Sequence, residues 1–437
     1  MRSPHSSTRR GSPSCAMSNT APDLPATAGI DRRALLAMVG SAAVGPLPEL
    51  QAPPTTPAAG VCGESAGRDA DDLTLFLCGD VMLGRGIDQI LARPSDPRIY
   101  EPAMSSALGY VELAERANGP IPRSANPSYV WGDALDVLQH ARPDLRIVNL
   151  ETAITRSGRA LPKGINYRMS PDNVSCLTAA QVDCCVLANN HVLDWGPEGL
   201  VETLKTLESV GIRSAGAGLS GQAARAPAIL EWSPKRRVLV FAHGSTTSGI
   251  PRSWAAREDE PGVNLLDDLS SATAARIADQ TASARRAGDI LIASIHWGAN
   301  WGYDIPDAWR RFAHRLIDDA GIHMIHGHSS HHPKGIELYK QKLILYGCGD
   351  FLNDYEGIAG CEAFRSDLVV MYLPKLSVSN GRLLELTMVP FQIRNFRLNR
   401  ATRDDAAWLY RSLARESAKL GAQMALRDSV SMGLILP

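Results

Sequence analysis

The side chains able to do chemistry stand where apolar runs stop. Residues 73–90 read LTLFLCGDVMLGRGIDQI, an apolar strand that ends in Gly79-Asp80, a tight turn and the start of a helix. Gly permits the sharp exit from the strand. Asp80 then lies at the carboxyl end of a buried strand, the edge where open α/β sheets bind ligands and metals. A carboxylate in that place needs a partner. Later runs offer one. Residues 144–151, DLRIVNLE, end in Asn149 and Glu151, which the two-residue alternation of a strand puts on one face. Residues 182–188 run into Asn189-Asn190-His191, and 289–295 into His296-Trp297-Gly298. Residues 322–325 lead into His326-Gly327-His328-Ser329-Ser330-His331-His332.

Asp80, Glu151, Asn190, His191, His296, His328 and His331 together combine carboxylate, amide oxygen and imidazole. That mixture suits one or two divalent ions of the Mn, Fe, Zn or Mg kind. A bound metal makes water nucleophilic near neutral pH, and a second can clamp an anionic oxygen. Singly, each residue has a plainer reading. A lone His is commonly a hydrogen-bonded core or surface residue. A strand-end Asp caps a turn, Asn189-Asn190 could cap a helix, and His331-His332 could be a solvated loop. The joint pattern goes further, because every member falls at the carboxyl end of a strand.

The elements that must position these groups alternate strand and helix from residue 73 onward, which predicts an α/β fold with buried strands. Residues 94–128 and 156–170 read as long polar loops, the second carrying Arg156, Lys163 and Arg168. Helical periods cover 131–141, 193–207, 272–287, 308–320 and 402–425. Residues 337–349 read as a hairpin turning at Lys340-Gln341, with a second strand that ends in Gly349-Asp350. Strands at 368–374 and 384–393 complete the set.

The chain of 437 residues is 44% hydrophobic, enough for a sizeable core. Its formal net charge of -1 argues against nucleic acid or an anionic membrane as the main partner. Eight cysteines without a C-x-x-C pair exclude a zinc ribbon and a disulfide-built scaffold, and leave room for one or two disulfides on export. Residues 1–70 read as a leader and linker. Arg32-Arg33 precedes a short Gly/Ala-rich apolar segment at 34–48, the pattern of a twin-arginine export signal. That segment is too short to span a membrane. The expectation is an exported protein without a transmembrane segment in its mature chain.

Six motifs in order, GDVMLGR (79–85), VNLET (148–152), ANNHVLDWG (188–196), HWG (296–298), GHSSHHPKGIE (327–337) and LYGCGDFL (345–352), resemble the poly-γ-glutamate capsule biosynthesis (CapA) family, related to the calcineurin-like metallophosphoesterases. The resemblance implies a four-layer α/β/β/α sandwich with a dinuclear metal centre. It makes residues 71–398 the family domain and 399–437 a helical extension. It gives Asp80 the first-motif carboxylate, Glu151 the bridging place, and Asn190, His296, His328 and His331 the remaining ligands. Asp80, His191 and His296 become the catalytic set, with His191 as general acid or phosphate contact. Asn149, Arg85, Lys163 and Arg168 become candidates for holding the substrate anion. Metallophosphoesterases carry His two residues after the first Asp and Asp in the second motif; here those places hold Met82 and Glu151, changes that CapA-like proteins share. Asp350 stands where the family usually has Asn, and is read as a carboxylate orienting a metal-bound His. The activity implied is hydrolysis of an anionic, phosphoester-type substrate, small molecule or polymer, alongside other capsule-synthesis proteins. An amide substrate, or a non-catalytic accessory role in polymer assembly or anchoring, stays open.

Overall fold

A computed structural model describes residues 71–234, 236–360 and 362–436. The leader read at 1–70 lies outside the described residues. Alternation along the strands sorts side chains into three apolar layers. In the Asp72–Val81 strand, Leu73, Leu75 and Leu77 face one way and Phe76 and Cys78 the other. Leu73, Leu75 and Leu77 meet Val238, Val240, Ile290 and Ile292 of a second sheet. Phe76 and Cys78 pack with Val137 and Leu138 of the Ala134–Ala141 helix and Leu200 and Leu207 of the Gly196–Ser209 helix. On the far side, Leu239, Phe241, Leu291 and Ile295 pack under the Ser271–Ala284 and Asp307–Asp318 helices. Helix, sheet, sheet, helix is therefore the order of layers, the α/β/β/α sandwich that the motifs imply.

The first sheet is mixed. Asp72–Val81 runs parallel to Leu145–Leu150, which pairs with Cys184–Val186 and then Arg213–Ala215. On its other side Asp72–Val81 pairs antiparallel with Leu368–Ser377 and parallel with Asp350–Leu352. The second sheet has Arg236–Gly244, Ile290–His296, Met324–His328 and Lys342–Leu345 in parallel, with an antiparallel strand on each edge. Its parallel strands are near-continuous apolar runs, as burial on both faces requires.

Three readings of the chain need correction. Residues 94–128 are no loop: they form the Arg98–Glu101 and Met104–Ser106 hairpin and the Leu108–Asn118 helix. The hairpin's second strand stops at Leu345, and Asp350 opens a separate strand in the other sheet. The helix expected over 402–425 ends at Ala418, and Gln423–Leu426 and Met432–Ile435 add two strands to the first sheet beyond Leu383–Arg394. Residues 399–436 are thus continuous with the sheet and only partly helical.

Candidate metal centre

The carboxyl ends of parallel strands from both sheets meet at one place. Register puts Asp80 between Asn149 and Asp350 in the first sheet. In the second it pairs His296 with His328. Gly79 allows the crowding: a Cβ there would lie 1.6 Å from the Gly349 carbonyl oxygen. Asn190 and His191 follow the Cys184–Val186 strand, and His331 follows Met324–His328. All seven residues expected from the sequence are buried. Two sets of three ligand-type atoms, from Asp80, His296 and His328 and from Asp80, His331 and Asp350, each lie within 4.8 Å of one another. Asp80 belongs to both.

Glu151 stays close, its Oε1 3.8 Å from His191 Nε2 and 3.9 Å from His296 Nε2. Asn190 Oδ1 is 2.9 Å from His296 Nε2. His331 Nδ1 lies 2.7 Å from Asp350 Oδ1 and 3.9 Å from Asp80 Oδ2. Asn353 donates to the other oxygen of Asp350 at 2.8 Å. Asn149 donates to Asp80 Oδ1 at 2.7 Å, and Asn189 to the Asn149 oxygen at 3.1 Å. Asn149 thus aims Asp80.

A chain of hydrogen bonds settles the histidine tautomers. His326 Nε2 is 2.7 Å from the Cys78 carbonyl, which can only accept, so Nε2 carries the proton. Burial pushes His326 down to about 4, so the ring is neutral and its Nδ1 must accept. The Ser294 hydroxyl, 3.1 Å away, gives its proton there and accepts from His328 Nε2 at 2.9 Å. His328 Nδ1 is then a bare lone pair, 2.7 Å from His296 Nδ1 and 4.0 Å from Asp80 Oδ1. If His296 protonates Nδ1, its Nε2 lone pair faces the Asn190 oxygen. If it protonates Nε2, two Nδ1 lone pairs face each other. With the Asn190 oxygen turned toward His296, electron pairs oppose either way, and a cation among them removes the conflict.

The carboxylates carry the same message. Burial, then the neighbouring Asp350, pushes Asp80 up to about 7, against the pull of His331. Burial and Asp80 push Glu151 well above the usual carboxylate range. Asp80 Oδ2 is buried without a hydrogen-bond partner. Burial, with other histidines, holds His296 and His328 well below the ordinary imidazole value, the neutral form in which imidazole ligates. These residues fit a divalent cation on three counts: an orphaned carboxylate oxygen, inward lone pairs and a mixed oxygen–nitrogen donor set.

His191 differs. Its Nδ1 is 2.6 Å from Asp194 Oδ2, so it donates there and leaves Nε2 as an acceptor toward Glu151. Burial lowers it to about 4, outweighing Asp194. In this state the ring is neutral, with Nε2 as its free acceptor. Lys163 Nζ bonds Asp194 Oδ1 at 2.7 Å and the Asn190 carbonyl, lies 3.1 Å from His191 Nδ1, and keeps 17% of its side chain exposed.

The two arginines are committed elsewhere. The Arg85 guanidinium is clamped by Asp354 at 2.5 Å and Glu101 at 3.0 Å and sandwiched by Tyr110 and Tyr167. Arg168 donates to the Ser157 and Asp96 carbonyls and covers Trp195. Both are structural cations here, and their sequence neighbours gave no sign of it. Reasoning from strand ends also missed Ser294, His326 and Asp194. The i, i+2 spacing of His326 and His328 was the available signal, since it puts both on one strand face. Trp301, within 5.5 Å of His331 and stacked at 6.1 Å on His332, forms an aromatic rim that no motif announced.

Fold and centre together define a four-layer α/β/β/α protein with a carboxylate–imidazole cradle between its two sheets. The chain belongs to the bacterial capsule synthesis protein family PGA_cap, whose model matches residues 74–355. It is 48% identical over 359 residues to a Mycobacterium tuberculosis H37Rv protein named "Probable polyglutamine synthesis accessory protein", covering 82% of this chain and 94% of that one. It is 26% identical over 287 residues to the "PGA biosynthesis protein CapA" of Bacillus subtilis 168, covering 65% of this chain and 64% of that one. Among solved structures it is similar to a novel phosphatase of Mycoplasma pneumoniae at 11% identity and a TM-score of 0.41, covering 74% of this chain and 94% of that one; likeness at that level carries no inference. Among the described residues no helix is long and apolar enough to cross a membrane.

Proposed function

We propose that this protein is an exported, metal-dependent hydrolase of an anionic, phosphoester-type substrate, acting in synthesis of a poly-γ-glutamate-type capsule or envelope polymer. The observation that carries the reading is Asp80 shared between two ligand sets while its Oδ2 has no partner. A divalent ion held there supplies the polarisation that makes water a nucleophile at neutral pH. Glu151, Asn190, His296 and His328 hold one side of Asp80, and His331, steadied by Asp350, holds the other. Asn149 keeps Asp80 aimed. Asp194 keeps the His191 Nε2 lone pair directed at the centre, where it accepts a hydrogen bond or proton from water or substrate. Lys163 meets the substrate's charge. The test is turnover of phosphomonoesters and phosphodiesters by the Mn²⁺-loaded protein. Activity that disappears in Asp80→Ala and His296→Ala supports the reading; no turnover above those variants contradicts it.

A second reading is a non-catalytic accessory factor in assembly or anchoring of the polymer, for which the centre is dispensable. Met82 favours it, since the position two residues after Asp80 offers a thioether where hydrolases of the related class have imidazole. The name of the mycobacterial relative speaks of an accessory protein. Complementation of a deletion strain separates the two: full polymer yield with Asp80→Ala means that the centre is dispensable, and lost yield means that it is required.

A further inference from the structure

A second polar cavity lies on the far face of the six-stranded sheet. In the Arg236–Gly244 strand Leu239 and Phe241 face the Ser271–Ala284 helix, and alternation puts His243 on that side too. His296 takes the opposite face of its own strand from Leu291, Ala293 and Ile295, so the two histidines look away from each other. His243 lines a cavity of about 210 Å³ whose other polar lining is Asn264, Asp267, Thr273, Gln280, Arg225 and Arg276, the rest being small and apolar side chains.

The chemistry of the lining is fixed by one amide. Asn264 Nδ2 is 2.8 Å from the Ala242 carbonyl and 3.0 Å from His243 Nδ1. The carbonyl accepts only, so the Asn264 nitrogen is the donor in both bonds and His243 Nδ1 accepts. The ring is 2% exposed, and burial keeps it neutral at about 4. Its single proton is therefore on Nε2, and that N–H has no acceptor among the described residues. Gln280 Oε1, in the same lining, is a buried acceptor without a donor. A folded protein rarely leaves such groups unmade. One missing donor and one missing acceptor around one void call for an occupant that offers both. Arg225 is exposed and makes no ion pair among the described residues, whereas Arg276 is held by Asp267 and Thr273. The occupant thus meets one guanidinium in the lining that no carboxylate among the described residues neutralises.

We propose that this cavity is a binding site, separate from the metal centre, for a small hydroxy- or amino-carboxylate. Its carboxylate faces Arg225, a second, inner oxygen accepts from His243 Nε2, and its hydroxyl or ammonium donates to Gln280 Oε1. The competing occupant is water alone.

The test is calorimetric titration of the full-length, metal-loaded protein with L-malate and with L-glutamate. Saturable binding of either with a Kd below about 1 mM is expected. Arg225→Ala, an exposed position that leaves the fold intact, should weaken it about tenfold, the scale of a lost charge-assisted hydrogen bond. Gln280→Leu should abolish it. Asp80→Asn should leave it unchanged, which separates this site from carboxylate capture by the metal. No saturable binding of either probe, or binding lost in Asp80→Asn and kept in Arg225→Ala, overturns the proposal. So does a crystal structure grown in either probe that shows only water in the cavity.

Discussion

Ser294 decides which nitrogen of His328 is free, although it touches nothing that could be a substrate. Cys78 O, His326 and Ser294 pass one constraint along three hydrogen bonds of 2.7, 3.1 and 2.9 Å. Removing the middle link lets His328 turn over between tautomers. Ser294→Ala should therefore loosen Mn²⁺ by about 10–100-fold, the usual effect of losing a partner that orients a ligand, with an unchanged far-ultraviolet circular dichroism spectrum; equal affinity by titration would refute the relay. At His191 the corresponding partner is Asp194, and Asp194→Asn should lower kcat on any hydrolysed substrate more than it raises KM, since the imidazole would stay in place with its Nε2 no longer held as the acceptor. At this scale the sequence was informative about residue types and silent about partners. Asp80, His296 and His328 were visible because they end apolar runs. Ser294 and His326 were hidden because a serine and a histidine inside a strand read as ordinary, and only the register that places Ser294 opposite His326 gives them meaning. Arg85 and Arg168 misled because a cation near a motif looks ready for an anion, and nothing local revealed Asp354, 269 residues away.

The strands carry the centre by approaching more closely than side chains permit. The Asp72–Val81 and Asp350–Leu352 strands are in parallel register at Asp80 and Asp350 because Gly79 has no Cβ to meet Gly349. Gly79→Ala must push the backbones apart. We expect loss of metal binding and a stability cost of about 1–3 kcal/mol from overpacking, read by denaturant unfolding; wild-type stability and metal content would contradict this. The Gly86–Ile90 helix is tied to the Asp350 region through Arg85 and Asp354, which also accepts from Gly86 N at 2.8 Å. The Arg85 and Asp354 side chains are at most 1% exposed. Asp354→Ala should cost about 3–5 kcal/mol, because it leaves a buried guanidinium short of a partner. The strands of both sheets were legible as apolar runs, and the helices under them as 3.6-residue periods. The Leu108–Asn118 helix was not, since its buried face is only Tyr110, Val111 and Ala114 and its flanks are rich in Pro, Ser and Gly. The two C-terminal strands were missed because each has four residues and pairs with a sheet that the local sequence does not mention.

Across the whole molecule the buried histidines set the response to acid. Burial lowers His191, His243, His296, His323, His326, His328 and His332. Between about pH 6.5 and 4 the unfolded chain binds protons at these positions that the folded one does not, so stability falls as pH falls. Asp80 and Glu151 act in the opposite sense, since their raised values let the folded state bind protons first. His331, raised by Asp350 against its burial, and Asp88, Asp183 and Glu356, raised by burial, act in that sense too; the seven lowered histidines, joined by carboxylates held low such as Asp268, Asp289 and Glu416, are expected to outweigh them. In chelator-treated protein the urea midpoint should drop steadily from pH 6.5 to 4.5, and a midpoint that rises or stays level would contradict this balance. Bound metal should steepen the drop, because protonation of His296, His328 and His331 competes with the ion. The sandwich of two sheets is what allows the arrangement at all: ligands from both sheets, more than 200 residues apart in the chain, close on one carboxylate. The direct measure of that closure is elemental analysis of the purified protein after dialysis against metal-free buffer. One or two equivalents of a divalent transition metal are expected, lost on Asp80→Ala and reduced on His328→Ala, in variants that still fold. Wild-type protein that retains no metal after Mn²⁺ or Zn²⁺ loading, or an Asp80→Ala variant that retains as much as wild type, would contradict it.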